Sequence, residues 1–235
     1  MKYKHSDFKS CKGLICALTL AVVAFLIMMI SVPDKIHAAK AAGTSLPEQL
    51  KKVEENYTKG KTVRARFSQI NESAATKNKE TTSGVILFKR PKKFRWDTQK
   101  PEPHLLVSDG NMIWSYTPPF DETEPGQLIE QKASKIQSPL AQTLLSGAFS
   151  AAKGMKIERL GPASFRLFPK KGTAGTVARA TVDVDPVRFV LRKIVLEHRD
   201  GNRAEIVLTE VELGVSLEDS LFHFTPPPNT DRVKQ

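Results

Sequence analysis

Three histidines after residue 41 are the side chains best suited to catalysis or metal binding: His104, His198 and His223. Each falls in a different strand-like segment, and their spacing does not place two of them on one metal ion. A Ser-His-Asp set can be assembled on paper from His104, Ser108 and Asp109. However, Asp109 begins an Asp-Gly pair typical of a tight turn, and the sequence lacks the nucleophile-elbow pattern Gly-x-Ser-x-Gly. We therefore expect turn residues there, no metal site, no cofactor and no enzymatic activity.

Two other sources of chemistry are also weak. Residues 172–175 predict a glycine-rich turn between strands and lack the Lys-Ser/Thr pair of a phosphate-binding loop. Both cysteines, Cys11 and Cys16, lie near the N-terminus, so the rest of the chain has no thiol for catalysis, metal ligation or a disulfide.

Large aromatic side chains are the remaining candidates, and they would serve an apolar site. They recur at alternating positions of strand-like segments, as Phe88, Phe94, Trp96, Trp114 and Tyr116. Alternation places such residues on one face of a strand. The pattern fits an ordinary hydrophobic core and also fits a ligand cavity, and periodicity alone leaves both interpretations open.

One helix and a long series of strands must position these side chains. Residues 45–48 predict a helix start, with Ser45 as the N-cap and Glu48 closing a capping box, and apolar residues follow at helical spacing up to Tyr57. The helix should end near Gly60. The period then changes to two, and strands are expected over residues 63–68, 84–89, 94–97, 105–108, 112–116, 127–131, 156–160, 165–168, 176–184, 189–197 and 204–213.

The turns between these strands predict an antiparallel meander. Residues 90–91, 108–111 and 199–202 are tight-turn sequences. A second helix is expected in mid-chain, from Ser138 to before Gly154, where leucines and Phe149 recur at helical spacing. A long sheet with two short helices favours a strongly curved sheet whose concave side the helices close.

The N-terminal 41 residues have the three parts of a secretory signal. Lysines precede the apolar run from Leu14 to Ile30, and small residues follow. We expect cleavage after Ala41, with Ala38 as an alternative site, leaving a single domain over residues 42–235. An uncleaved membrane anchor and a lipid-modified N-terminus at Cys16 are the competing interpretations.

The chain is basic, with a formal net charge of +11. The first 41 residues hold six of the 36 basic and two of the 25 acidic residues, so residues 42–235 keep a net charge of +7. Basic and acidic residues alternate along the strands and no nucleic-acid recognition motif is present. The charge therefore favours anionic membrane headgroups or an acidic protein partner over nucleic acid.

Four segments in order resemble a known family. Residues 87–96, LFKRPKKFRW, are similar to the signature of the periplasmic lipoprotein-carrier family, LolA, in which an Arg-Pro turn precedes a strand with Phe and Trp. Residues 63–69 resemble the first strand of that family, residues 105–116 its central hairpin and residues 222–227 its closing strand.

The resemblance implies an incomplete, half-open antiparallel β-barrel with a helical lid over an apolar cavity. It implies a periplasmic chaperone that binds the acyl chains of lipoproteins and carries them to the outer membrane as a monomer. An inner-membrane ABC-type release complex would be the donor, and an outer-membrane receptor or the membrane itself the acceptor. The acyl-chain cavity would be lined by Phe88, Phe94, Trp96, Trp114, Leu144, Leu145 and Phe149.

The resemblance also places the Arg90 guanidinium where it can reach backbone carbonyls of the lid, as a latch; a plain surface charge is the alternative. Two other functions remain open. One is a periplasmic lipid- or lipoprotein-sensing regulator with the same half-barrel, and the other is an export-pathway hydrolase, for which the sequence shows no catalytic constellation.

Overall fold

The computed structural model describes residues 46–121, 123–135, 143–144, 146–151, 155–170 and 176–234. They include the α-helix α1 (Glu48–Gly60), helical residues at 143, 144 and 146, and three short 3-10 turns. The strands are β1 (Thr62–Glu72), β2 (Lys79–Lys89), β3 (Lys93–Lys100), β4 (His104–Ser108), β5 (Met112–Thr117), β6 (Gly126–Lys132), β7 (Lys156–Arg159), β8 (Ser164–Phe168), β9 (Val177–Val184), β10 (Leu191–His198), β11 (Arg203–Leu213) and β12 (Thr230–Lys234).

Helix α1 is amphipathic as predicted, and its buried residues are Leu50, Val53 and Tyr57. Its start differs from the prediction. Pro47 is the N-cap residue, without a side-chain capping bond, so Glu48 is the first helical residue and does not close a capping box. The predicted cap Ser45 lies outside the described residues. Lys61 follows the helix in the left-handed conformation and its N–H donates to the carbonyl of Tyr57, which ends the helix.

All twelve strands form one sheet, in the order β12-β6-β5-β4-β3-β2-β1-β11-β10-β9-β8-β7. Neighbouring strands are antiparallel except for β12 and β6, which are parallel. Strands β7 and β12 are the two edges, so the sheet stays open. The prediction of a mainly β chain with an incomplete antiparallel barrel is confirmed. No helix within the described residues is long and apolar enough to cross a membrane.

The two faces of the sheet have different surroundings. We call the face that packs against α1 the inner face and the opposite one the outer face. The main core lies on the inner face, where side chains of β1, β2 and β8 to β11 pack with those of α1. Strand β1 shows the predicted alternation, since Val63, Ala65 and Phe67 are buried while Arg64 and Arg66 are exposed. The outer face of this half of the sheet carries ion pairs, including Arg64 with Glu212.

Several predicted boundaries shift for local reasons. Strand β2 begins at Lys79 rather than at residue 84, because it pairs with β1 along its whole length as far as Glu72. Strand β10 begins at Leu191 rather than at residue 189, because Phe189 has a positive φ of 50° that interrupts extended backbone. In mid-chain, residues 143, 144 and 146 are helical; Ser138 and Gly154 lie outside the described residues.

The prediction of a closing strand over residues 222–227 is wrong. Residues Asp219–Phe222 form a 3-10 turn and the chain continues without strand pairing until β12. Three prolines at 226–228 have no N–H group to donate to a sheet, which explains why pairing starts only after them. Strand β12 escaped prediction because its residues are polar and largely exposed.

Gly84 gives a test of the sheet geometry, since it sits at a register shift between β2 and β3. A Cβ atom added there would lie 1.9 Å from the carbonyl oxygen of Asp97 and 3.0 Å from the ring of Phe67. Gly84→Ala should therefore lower the free energy of unfolding by about 2–3 kcal/mol, measured by urea denaturation. Gly161→Ala is the control, because its nearest contact would be 3.9 Å away. Equal, small effects of both changes would contradict this strand pairing.

Candidate functional site

The inner face of β2 and β3 carries three of the predicted aromatic side chains. Phe88 lies directly opposite Phe94, and Trp96 lies opposite Ile86. The rings of Trp96 and Phe67 are 4.8 Å apart at an interplanar angle of 52°. Phe94 and Trp96 are only partly buried, although they pack against the main core. The aromatic residues therefore form a continuous apolar surface that extends beyond the fully buried core.

Part of the mid-chain segment packs in the same core cluster as this surface. We call the described residues 143–144 and 146–151 the cover. Leu144 and Phe149 are 7% and 2% exposed and belong to the same cluster as Phe88, while Leu145 lies outside the described residues. The structure thus brings together five of the seven predicted cavity residues, namely Phe88, Phe94, Trp96, Leu144 and Phe149.

Trp114 lies elsewhere, on the outer face. Trp96 is opposite Leu106 on β4, and the next residue, Val107, is opposite Trp114 on β5. Since successive residues of a strand point to opposite faces, the two indoles are on opposite sides of the sheet. The grouping of Trp114 with Phe94 and Trp96 is therefore corrected.

A second apolar cluster surrounds Trp114 and is covered by the C-terminal part of the chain. It contains Val107, Trp114, Tyr116 and Leu128, with Phe224 packed against it. The ring of His223 meets Trp114 edge-on at 5.2 Å, and the rings of Tyr116 and Phe224 are 4.9 Å apart. This arrangement was not predicted from the sequence, although Phe222 and Phe224 could have indicated an apolar contact in this segment.

We call residues 215–229 the strap. Ion pairs hold the first part of the strap, before Phe224, to β2 and β3. Lys89 and Lys93 contact the carboxylate of Asp219 at 2.7 and 2.9 Å. These two ammonium groups lower the pKa of Asp219 to about 2. Lys89 also donates to the carbonyl of Leu217 at 2.7 Å. The strap therefore crosses the outer face of β2 and β3 before it reaches the cluster around Trp114.

Arg90 lies in the turn between β2 and β3, next to the cover. Its Nε donates to the carbonyl of Tyr57 at 3.2 Å, and its Nη2 donates to the carbonyl of Ser146 at 2.8 Å. The backbone N–H of Arg90 donates to the carbonyl of Lys61 at 2.8 Å. One guanidinium therefore bridges the end of α1 and the cover.

Tyr57 forms a second contact between α1 and the cover. Gly147 has a positive φ of 65°, and a Cβ atom there would lie 2.9 Å from the Tyr57 ring. The backbone of Gly147 is thus seated directly on the ring. The hydroxyl of Tyr57 accepts from the N–H of Leu191 at 3.2 Å, and burial raises its pKa to about 12. Tyr57 is therefore a neutral, fixed support for the cover.

The candidate catalytic residues are engaged in local structure. Ser108 Oγ donates to the carbonyl of Met112 at 2.8 Å, and Asp109 Oδ1 accepts from the N–H of Met112 at 2.7 Å. His104 Nε2 is 3.0 Å from the hydroxyl of Ser115, and burial lowers the pKa of His104 to about 4. Ser108 and Asp109 are thus both bonded to the backbone of Met112, whereas His104 is bonded to Ser115. Among the described residues, no group of three His, Cys, Asp or Glu side chains could hold a metal ion.

The side chains between the sheet, α1 and the cover pack against one another as one cluster. A pocket of about 590 Å³ lies on the exposed side of α1, between Lys51, Glu55 and Lys59 and next to Ser150 of the cover. Four of its seven lining residues carry a charge, but none of the seven belongs to the aromatic surface. Leu144 and Phe149 of the cover belong to the packed cluster, and Phe94 and Trp96 pack against it while remaining partly exposed.

Comparisons with known proteins agree on one family. The family model described as outer membrane lipoprotein carrier protein LolA matches residues 58–225. A protein of Dechloromonas aromatica named outer-membrane lipoprotein carrier protein is 30% identical over 182 residues, covering 74% of this chain and 81% of the relative. One of the same name from Pseudomonas paraeruginosa is 27% identical over 215 residues, covering 84% and 96%.

Two solved structures are similar to this chain at low sequence identity. A LolA superfamily protein from Nitrosomonas europaea is similar with a TM-score of 0.45 at 11% identity, covering 75% of this chain and 96% of the other. An uncharacterized conserved protein from Thermus thermophilus is similar with a TM-score of 0.48 at 12% identity, covering 80% and 100%.

Proposed function

Since the chain belongs to the outer membrane lipoprotein carrier protein family, LolA, we propose that it is a periplasmic carrier that binds the acyl chains of lipoproteins and delivers them to the outer membrane. Residues 1–41 would direct export and be removed, and residues 42–235 would form the carrier. The donor would be an inner-membrane ABC-type release complex. The acceptor would be an outer-membrane receptor or the membrane itself. We expect this transfer of lipoproteins by the carrier to require no cofactor.

Acyl chains need an apolar surface throughout the transfer. Each methylene exposed to water costs about 0.8 kcal/mol, so bare transit of several long chains would cost tens of kcal/mol. The inner face offers Phe88, Phe94 and Trp96, which pack in the same cluster as Leu144 and Phe149 of the cover. Acyl chains would take the place of these cover side chains. The closed, packed interior then corresponds to the empty carrier.

The contact of Arg90 with the cover is the observation that carries the proposal. The cover is fastened to the turn between β2 and β3 by a hydrogen bond from a charged donor to the carbonyl of Ser146. Hydrogen bonds of this kind contribute about 1.5–3 kcal/mol. They form only when the cover is closed, so they stabilise the empty state and weaken cargo binding by the same amount. A carrier needs a stabilised empty state because it must release its cargo to the acceptor.

A transfer assay tests the function directly. Donor vesicles containing a fluorescent triacylated lipopeptide are mixed with the purified mature protein, and the vesicles are removed by sedimentation. We expect soluble, protein-bound lipopeptide that passes to acceptor vesicles added afterwards. Binding without transfer to the acceptor would favour a lipoprotein-sensing regulator. Absence of soluble lipopeptide would contradict the carrier function.

Arg90→Leu should load normally in this assay and release its lipopeptide at least tenfold more slowly, because the closed state loses its charge-assisted bonds. Arg90→Lys should be intermediate, since an ammonium retains the charge without the planar guanidinium. Lys92→Leu is the matched control, as it removes a nearby exposed charge from the same turn. Release rates for Arg90→Leu equal to those of the control would show that Arg90 is not a latch.

A further inference from the structure

Gln131 of β6 is a buried polar side chain with an unusual environment. The residue is 1% exposed. Its Oε1 and Nε2 atoms are both buried, and neither has a hydrogen-bond partner among the described residues. A buried amide without partners destabilises a folded protein, and most such groups are satisfied. Gln131 therefore keeps one acceptor and two donor hydrogens unused inside the protein.

The strand register places Gln131 on the inner face, in line with the aromatic surface. Gln131 is opposite Ile113, Ile113 is opposite Ser108, and Ser108 is opposite Phe94. Residues paired in this way share a face, so Gln131 and Phe94 lie in one row across β3 to β6. With neighbouring strands about 4.8 Å apart, the two residues are about 14 Å from each other. The amide thus stands at the far side of the same surface.

Two polar side chains near Gln131, unlike Gln131 itself, have hydrogen-bond partners. Ser108 Oγ donates to the carbonyl of Met112 and accepts from the N–H of Gly110 at 3.1 Å. Ser115, on the neighbouring strand, is paired with His104 at 3.0 Å. The unused hydrogen-bonding capacity on this part of the inner face therefore belongs to Gln131.

The missing partner should be neutral and should arrive with an apolar group. Between Phe94 and Gln131 the row contains only Ser108 and Ile113, so it offers no charge to a carboxylate or an ammonium group. An acyl chain of a lipoprotein is attached through an ester or amide carbonyl, which is polar, uncharged and necessarily close to the chain. The side-chain amide of glutamine can donate to such a carbonyl.

We propose that Gln131 binds the ester or amide linkage of an acylated cargo and so selects acyl chains over plain hydrocarbon. This inference rests on the proposed carrier function. When the cover opens and chains enter along Phe94 and Trp96, the linkage carbonyl takes the hydrogen bond that Gln131 lacks in the empty protein. The side-chain amide of Gln131 thereby has a hydrogen-bond partner only in the loaded state.

Gln131→Met tests this, because methionine keeps the length of the side chain without its polar atoms. The empty variant should unfold at a temperature higher by about 2–4 °C, since an unsatisfied buried amide is removed. Its affinity for a fluorescent diacylglyceryl-cysteine peptide should fall about tenfold. Its affinity for the ether-linked analogue with the same chains, which lacks the two carbonyls, should not change.

Two controls keep the outcome interpretable. Gln127→Met changes an exposed amide on the same strand and the same face, and it should alter neither stability nor the ratio of the two affinities. Gln131→Leu repeats the test with a second apolar side chain if the methionine variant folds poorly.

A lower unfolding temperature for both Gln131 variants would show that the amide has a partner within the protein and would overturn the inference. Equal weakening of the ester and ether peptides would also overturn it, while leaving the carrier function intact. If the wild-type protein bound neither peptide, the carrier function itself would fail.

Discussion

An open sheet cannot bury its own faces, and this constraint governs the arrangement of the whole chain. Strands β3 to β5 carry apolar side chains on both sides, with Trp96 on the inner face and Trp114 on the outer one. Each face therefore needs a separate layer from elsewhere in the chain. On the inner face, α1 and the cover belong to the cluster against which Phe94 and Trp96 of β3 pack, and on the outer face the C-terminal strap packs on the cluster around Trp114.

The strap and the cover are attached to the sheet by different kinds of contact. The strap is held by Asp219 between two lysines, by ring contacts and by the pairing of β12 with β6. The cover is held by packing, by the hydrogen bond from Arg90 to a backbone carbonyl, by hydrogen bonds from Ser150 to the carboxylate of Glu54 on α1, and by the contact of Gly147 with the Tyr57 ring. The outer layer thus completes the fold, whereas in the proposed function acyl chains replace the side chains of the cover in the inner layer. The amide of Gln131, which lacks hydrogen-bond partners in the empty protein, would favour ligands that carry an ester or amide carbonyl next to the acyl chain.

The sequence predicts the parts of this arrangement that depend on local patterns. Helical spacing identifies α1, and alternation with turn residues identifies most strands. Alternation does not say which face of a strand points inward, so Trp114 was grouped with Trp96 although the register of β3 to β5 separates them. The carbonyl acceptors of Arg90 are backbone atoms without a sequence signature, and the proposed latch role of Arg90 rests on family resemblance. Gln131 looks like any polar strand residue until burial reveals its missing partners.

The central claim is that acyl chains bind on the inner face between the sheet and the cover. The chain has two tryptophans, one on each face, and this permits a direct measurement. A lipopeptide with brominated acyl chains, which quench indole fluorescence on contact, is titrated into Trp114→Phe and into Trp96→Phe. The account predicts saturable quenching of Trp96 in the first variant and little quenching of Trp114 in the second. Bound lipopeptide that quenches Trp114 as strongly as Trp96, or that leaves Trp96 unquenched, would contradict it.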